Sequence, residues 1–516
     1  MSVIESAAAP ALAIDPADWS YLAEGGFHII LRYDGNDPAL TGKILRIGKK
    51  ALGHEKKEEG NGNKRAKVVL DGAGARRKFE RGVLIPLLGE QYVQPGDAVT
   101  LTREDIGKIH LSIDHLRPEG RIKKDNGDWS TACQLEPDKT AFWLKLPPGS
   151  ATTPTPTAAS DIMKSDDIVI AVEIKPKGAV MPVGTLVPPG NNRLKYRVAR
   201  FDAQQKFKAQ GKQSWGSIDS PCLYHPREFY SGEAGRAAAT LKELMKTPQN
   251  KLRAWKNGSM LFGAGSGKDD DEKAESGETM GEVALGKAVT AAGLAGGDGT
   301  PAEALMDLVG EILAKEPLVS KLVAAQALDV LEVEGGGLVF DKLASLYGGS
   351  KEEALDVLEA QQSEIFVAEP TDKDLLLPEA TLEALRAGSS AGEPGEPGYI
   401  DALHGKGLLA VEKLSVKDCV QLLRRYIIGL GVMDCSVMMS LKSIPADGAG
   451  AAAQPCTAQG KDVAGVFQAS DGRRVAYCVS VVDAGPKPPT KLSGKAKHED
   501  EIWDFVAGLE KSGQII

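Results

Sequence analysis

Hydrophobic positions alternate with polar ones in the first third of the chain and fall at helical spacing in the rest. Phe27–Tyr33 alternates and Lys43–Ile47 comes next, which predicts strand, turn and strand, with Glu24-Gly25-Gly26 at the first turn. Gly82–Gly89 (GVLIPLLG) is apolar enough to be buried, and Ala98–Leu101 and Ala141–Leu146 read as strands. The run Ile168–Ala171 predicts a buried strand that continues into Val172–Gly178 (VEIKPKG). Leu194–Lys208, which is basic, and Gly232–Lys246 read as helices, and Leu252–Gly258 as a short strand. Across Ala302–Leu331, the residues Leu305, Leu308, Val309, Ile312 and Leu313, then Leu318, Leu322 and Leu328, recur at three-to-four spacing, with a break at Pro317. Further helices are predicted at Glu352–Gln362 and Leu414–Ile428, and strands at Cys435–Leu441 and Val475–Val482. Strands first and helices later give an α+β class.

Composition adds boundaries. With 516 residues, 42% hydrophobic and 26% charged, the chain has ample core for several domains or lobes. Residues 1–14 are Ala-rich and read as disordered; 147–161 is Pro/Thr-rich; 263–299, 388–398 and 446–461 read as flexible insertions. A net charge of −9 gives no general affinity for nucleic acid or anionic membrane, so any polyanion site must be a local basic concentration. The 6 cysteines are scattered without CxxC, which fits a reducing compartment. No uncharged apolar run approaches ~20 residues and no signal peptide is read, so a cytoplasmic or nuclear address is expected; the chain is also expected to be a monomer.

Candidate chemistry centres on VEIKPKG. Glu173, Lys175 and Lys177 come after a buried strand at spacing two, so strand alternation predicts that they share a face. That suits a phosphate-handling site with an acid on its metal side, or an ion pair satisfied at a strand end. Gly25 and Gly26 would let backbone N–H groups approach phosphate oxygens, or simply form a turn. Asn250 and Arg253 (TPQNKLRAWKNG, 247–258) are phosphate donors or surface residues. Asp434 precedes an apolar strand and is a base, a ligand or a cap. Asp483 ends a strand, with Lys487, Lys491 and Lys495 after it. GAGSGK (263–268) is no Walker loop: Phe262 stands where its first glycine belongs, and Asp269 comes after Lys268. HRD, DFG and a Cys/His zinc pattern are all missing.

In this order the blocks DWSYLAEGG (18–26), RPEGR (117–121), VEIKPKG, RVARFDAQQKFK (197–208), TPQNKLRAWKNG, MDCSVMMS (433–440) and YCVSVVDAGPKP (477–488) resemble the inositol-pentakisphosphate 2-kinase family. The resemblance implies a two-lobed kinase-like fold, with an N-lobe over 15–188 and a C-lobe over 189–516. It implies an ATP- and Mg²⁺-dependent transfer to the 2-hydroxyl of inositol 1,3,4,5,6-pentakisphosphate, giving the hexakisphosphate (phytate). Carried over residue by residue, Gly25 and Gly26 look like the nucleotide-covering turn. Arg46, Glu173, Lys175 and Arg253 look like ATP-side residues, and Arg121, Lys177, Lys208, Asn250, Lys487 and Lys491 like contacts to the substrate phosphates. Asp434 looks like the base and Asp483 like a Mg²⁺ ligand. The chain departs from the family at His28 and Lys251, where asparagines are usual, and at Lys495, near the place of an aromatic. It also departs after EVEG (332–335), where Cys/His zinc ligands are missing; no structural zinc is expected, and packing through Leu338, Phe340, Leu343 and Leu346 is expected instead. The alternative is a non-catalytic inositol-polyphosphate binder of the same fold.

Overall fold

A computed structural model of the chain describes residues 10–25, 28–49, 72–123, 129–141, 168–181, 194–195, 198–211, 221–249, 251–263, 279–297, 299–361, 411–444, 457–458, 461–462, 465–485 and 496–513. Two antiparallel sheets and their covering helices make up a mixed α/β architecture. The first sheet holds β1 (Trp19–Glu24), β2 (His28–Tyr33), β3 (Lys43–Lys49), β4 (Asp97–Thr100) and β5 (Trp129–Pro137), in the order β1-β2-β3-β5-β4. Alternation in β2 buries Ile29 and Leu31 on one face, against Leu45, Ile47 and Trp129. The helix Arg103–Ile113 closes that face with Ile106, Ile109 and Ile113, and a capping box between Thr102 and Asp105 fixes its start. Residues 10–14, expected to be disordered, are partly tied down: Leu12 N–H donates to the Thr100 carbonyl at 3.0 Å, and Thr100 N–H to that of Pro10 at 2.9 Å. The strand expected at 141–146 lies almost wholly outside the described residues; the strand present nearby is β5, which periodicity alone does not reveal.

The second sheet holds β6 (Ile170–Ile174), β7 (Leu252–Lys256), β8 (Ser259–Phe262) and β9 (Ser436–Ser443). After the short ribbon β10 (Thr457–Ala458) and β11 (Lys461–Asp462) it adds β12 (Gly465–Gln468) and β13 (Arg474–Val482). Its order is β12-β13-β9-β6-β7-β8. All five residues of β6 are buried, as suits a central strand. β6 pairs antiparallel with both β7 and β9. The helices Ala234–Lys246, Pro301–Lys315 and Pro317–Gln326 contribute to the core beside this sheet, and the helical run does break before Pro317. The stretch 263–299, read as an insertion, carries a helix, Met280–Ala291, with Leu285 and Val289 in the core.

A third cluster joins the helices Glu332–Leu346 and Val416–Met433. Here the packing differs from expectation. Phe340 and Leu343 are buried with Val339 and Ala344, whereas Leu338 and Leu346 fall outside that stripe and are exposed. The last helix, Ala496–Lys511, packs on the helix Arg200–Ala209 through Phe207, Ile502, Trp503 and Val506. Among the described residues no helix is long and apolar enough to cross a membrane.

Candidate active site

Strand pairing assembles the site. Val482, the last residue of β13, faces Ser436, the first of β9; Ile174, the last of β6, faces both Val437 of β9 and Leu252, the first of β7. Four strand ends therefore lie side by side, each about 5 Å from the next. Just beyond these ends stand Asp483, Asp434, Lys175 with Lys177, and Lys251. Lys175 N–H donates to the Lys251 carbonyl at 2.8 Å, continuing the β6–β7 pairing one step past the strand.

Two acid–base pairs form there. Lys177 Nζ donates to Asp434 Oδ1 at 2.9 Å. Lys175 Nζ lies 3.9 Å from Asp483 Oδ2, and Arg46 Nη1 lies 3.4 Å from Asp483 Oδ1. Both acids keep solvent access, with 52% of the Asp434 side chain and 44% of the Asp483 side chain exposed. The buried Cys435 thiol lies near both pairs. Burial pushes it up to about 12, and the charges of Asp434, Lys177, Lys175 and Asp483 all act on it. Partial desolvation by the surrounding protein works against ionisation of Asp483, but Arg46, Arg76 and Lys175 outweigh it and hold its carboxyl well below the usual carboxylate range.

Alternation was expected to align Glu173, Lys175 and Lys177, but it stops at Ile174. Lys177 takes a left-handed φ of 62°, and Asp483 one of 59°, conformations that side-chain-bearing residues rarely adopt. Glu173 remains inside the sheet, where Ser436 Oγ donates to its Oε1 at 2.6 Å and Arg253 Nη1 reaches its Oε2 at 3.4 Å. It therefore braces Arg253 from the neighbouring strand.

Behind Asp483 stands a buried charge network formed by the first sheet and the helical segment that carries Arg76 and Glu80. Arg46 Nε donates to Glu136 Oε1 at 2.7 Å across β3 and β5, and Arg76 Nε to Glu80 Oε1 at 2.8 Å. His28 sits among these groups: burial, then Arg46 and Arg76, push its imidazole down to about 3, so it is neutral at physiological pH. Sequence reasoning missed Arg76, Glu80 and Glu136. Arg76 and Glu80 lie in a charged stretch (GARRKFER, 74–81) that reads as solvated, and Glu136 gains meaning only once β3 and β5 are seen to be neighbours.

A second group is purely basic. Lys208, on the helix Arg200–Ala209, is pushed down by burial and then by Lys177 and Arg200. Lys251 is 4% exposed, with its Nζ over the Phe201 ring at 5.3 Å and bonded to Gln249 Oε1. Burial first, then Lys208 and Lys177, push it down to about 8, while Cys222 acts the other way. Three like charges held this close suit a polyanion.

The remaining candidates divide. Gly25 sits at the β1–β2 turn, where its N–H donates to the His28 carbonyl at 2.9 Å, beside a buried Glu24 held by Arg117 and Lys49. Arg121 lies on the short helix Glu119–Ile122, close enough to act on the Tyr21 phenol. Gly26, Asn250, Lys487 and Lys491 lie outside the described residues, as does Lys495.

Comparison with known proteins gives one answer. The sequence model of the family described as inositol-pentakisphosphate 2-kinase matches residues 21–501. An inositol-pentakisphosphate 2-kinase of Arabidopsis thaliana is 27% identical over 343 residues, covering 62% of this chain and 68% of the relative. One from Oryza sativa subsp. indica is 25% identical over 334 residues, covering 62% and 68%. One from Danio rerio is 27% identical over 258 residues, covering 50% and 46%.

Proposed function

The chain belongs to the inositol-pentakisphosphate 2-kinase family, and from that premise we propose that it transfers the γ-phosphate of ATP to the 2-hydroxyl of inositol 1,3,4,5,6-pentakisphosphate, with Mg²⁺, giving the hexakisphosphate and ADP. The observation that carries this reading is the meeting of Asp434 and Asp483 with Lys175 and Lys177 at adjoining strand ends. We read the two sheets as the cores of two lobes, with the nucleotide between them on the Arg46 side and the inositol phosphate on the Lys208 side.

Phosphoryl transfer depends on positioning and charge neutralisation more than on covalent chemistry. As substrate binds, Lys177 exchanges part of its contact with Asp434 for a substrate phosphate, and Asp434 then accepts the proton of the hydroxyl as its oxygen bonds the γ-phosphorus and ADP leaves. Lys175 and Arg46 hold nucleotide phosphate oxygens, and Arg253 stands behind them on Glu173. Lys208 and Lys251 hold the ring phosphates so that one hydroxyl is in line. Asp483 fits a magnesium site: it is ionised, offers hard oxygen donors and remains partly open. Among the described residues no set of three or more acidic, His or Cys side chains is gathered for a metal, which suits an ion bound by one or two carboxylates together with phosphate. Magnesium bound there supplies charge neutralisation of the phosphate oxygens.

The test is phosphate transfer from ATP to a panel of inositol phosphates. Conversion of the pentakisphosphate to the hexakisphosphate is expected. Binding of the pentakisphosphate without ATP consumption would favour a non-catalytic binder, and transfer only to less phosphorylated inositols would reassign the substrate.

A further inference from the structure

Lys177 is held in its left-handed conformation by side chains far away in the sequence. Tyr224 Oη donates to the Pro176 carbonyl at 2.9 Å. The Lys177 carbonyl accepts two bonds, from Tyr230 Oη at 3.2 Å and from Gln326 Nε2 at 3.2 Å. Gln326 Nε2 also donates to Tyr230 Oη at 2.9 Å, and its Oε1 accepts the Ala179 N–H at 3.0 Å. One side-chain amide thus spans the turn on both sides of Gly178. That turn is tight: a Cβ on Gly178 would come within 2.9 Å of Met433 Sδ. Gln326 is 1% exposed and ends the helix Pro317–Gln326. Its orientation is fixed, because Ala179 N–H requires an acceptor and the Lys177 carbonyl a donor.

This goes beyond what a buried glutamine needs. A carbonyl is satisfied by one donor, yet here two aligned donors saturate it, at a residue whose φ of 62° is unfavourable for lysine. We infer that Gln326 is a positioning residue of the inositol phosphate site: with Tyr230 it locks the Lys177 carbonyl, keeps residue 177 left-handed, and so aims the ammonium at Asp434 and the substrate. The inference rests on the functional reading above and adds a device to it. Gln326 acts through Lys177 and is not itself a catalytic residue.

The experiment is a double-mutant cycle on the full chain, read as affinity for inositol pentakisphosphate and, separately, for ATP. Gln326→Leu alone should weaken inositol phosphate binding by about tenfold to a hundredfold, the range for losing a hydrogen bond to a charged group. ATP affinity should change less than about twofold, within the spread of uncoupled sites. Combined with Lys177→Ala, Gln326→Leu should add almost nothing, because the side chain it aims is gone. Tyr230→Phe removes one hydroxyl and no packing; it should move the same affinity in the same direction by a few-fold, and it stands in if the leucine variant fails to fold. Additive losses in the cycle, or an equal loss for ATP, overturn the role of Gln326 while leaving the kinase reading intact. Failure of the unaltered protein to bind inositol pentakisphosphate overturns both.

Discussion

Replacing Lys251 by methionine should make the ligand-free protein more stable and its substrate complex weaker. Lys251 is 4% exposed and lies among Lys177 and Lys208, so folding puts its ammonium where it is disfavoured. A fall from an ordinary 10.5 to about 8 corresponds to about 3 kcal/mol between charged and neutral forms. The folded pKa is the depressed one, so the unfolded chain binds more protons between about pH 8 and 10.5, and stability rises with pH across that window. The penalty is about 3 kcal/mol at pH 7, about 2 at pH 9 and about 1 at pH 10. Methionine keeps the length but loses the Phe201 ring contact and the Gln249 bond, together about 1–2 kcal/mol. The net gain at pH 7 is then about 1–2 kcal/mol, shrinking to nothing or reversing at pH 10. Urea unfolding of both proteins at the two pH values, without ligand, measures it. A variant less stable than its parent at pH 7, or an offset that does not change with pH, would refute the reasoning. The same charge should serve the complex: inositol pentakisphosphate affinity of the unaltered protein falls as pH rises through about 8, and the methionine variant binds more weakly with a flatter profile.

Asp434→Ala should keep inositol pentakisphosphate binding, measured by calorimetry, and lose roughly 10²–10⁴ in turnover; normal turnover removes Asp434 from the role of base. Asp483→Asn removes the carboxylate charge beside Lys175 and Arg46 and should raise the magnesium needed for half-maximal activity by about tenfold or more; an unchanged magnesium titration removes it as a ligand. Glu499→Gln withdraws the charge facing Arg200 Nε at 2.7 Å and the buried Lys195 Nζ at 3.8 Å. Lys195 keeps Glu334 and Arg200 is partly exposed, so the loss should be about 1–2 kcal/mol, read from urea midpoints, and an unchanged midpoint would make that network a minor one.

Much of the fold was legible because local signals agreed. The break at Pro317, the apolar run that became β6, and the strands on either side of 446–461 all arise from periodicity and proline chemistry. Two elements were hidden. β5 reads WSTACQLEP, whose charged and polar residues make sense only beside Arg46 on β3. The helix Met280–Ala291 lies in a Gly-rich, acidic stretch, and its capping box at Thr279 and Glu282 was the signal available. Of the candidate site, the residue types at 175, 177, 434 and 483 were readable, but their pairing was not, because antiparallel register is a property of the sheet and not of any one strand.

The conformations at the site could not have been read at all. Five described non-glycine residues have positive φ, and two of them, Lys177 and Asp483, hold the proposed site acids and bases, while a third, Gln249, receives the Lys251 ammonium. Local rules put glycine or asparagine at such positions, since a lysine there costs about 1–2 kcal/mol. A glycine would relieve the strain and remove the side chain that the chemistry needs. The conflict is resolved outside the turn, by groups such as Gln326 and Tyr230 that belong to helices and loops well separated in sequence. A strained residue with long-range partners at its carbonyl is therefore stronger evidence for a working position than the residue type alone, because folding by itself gives no reason to maintain it.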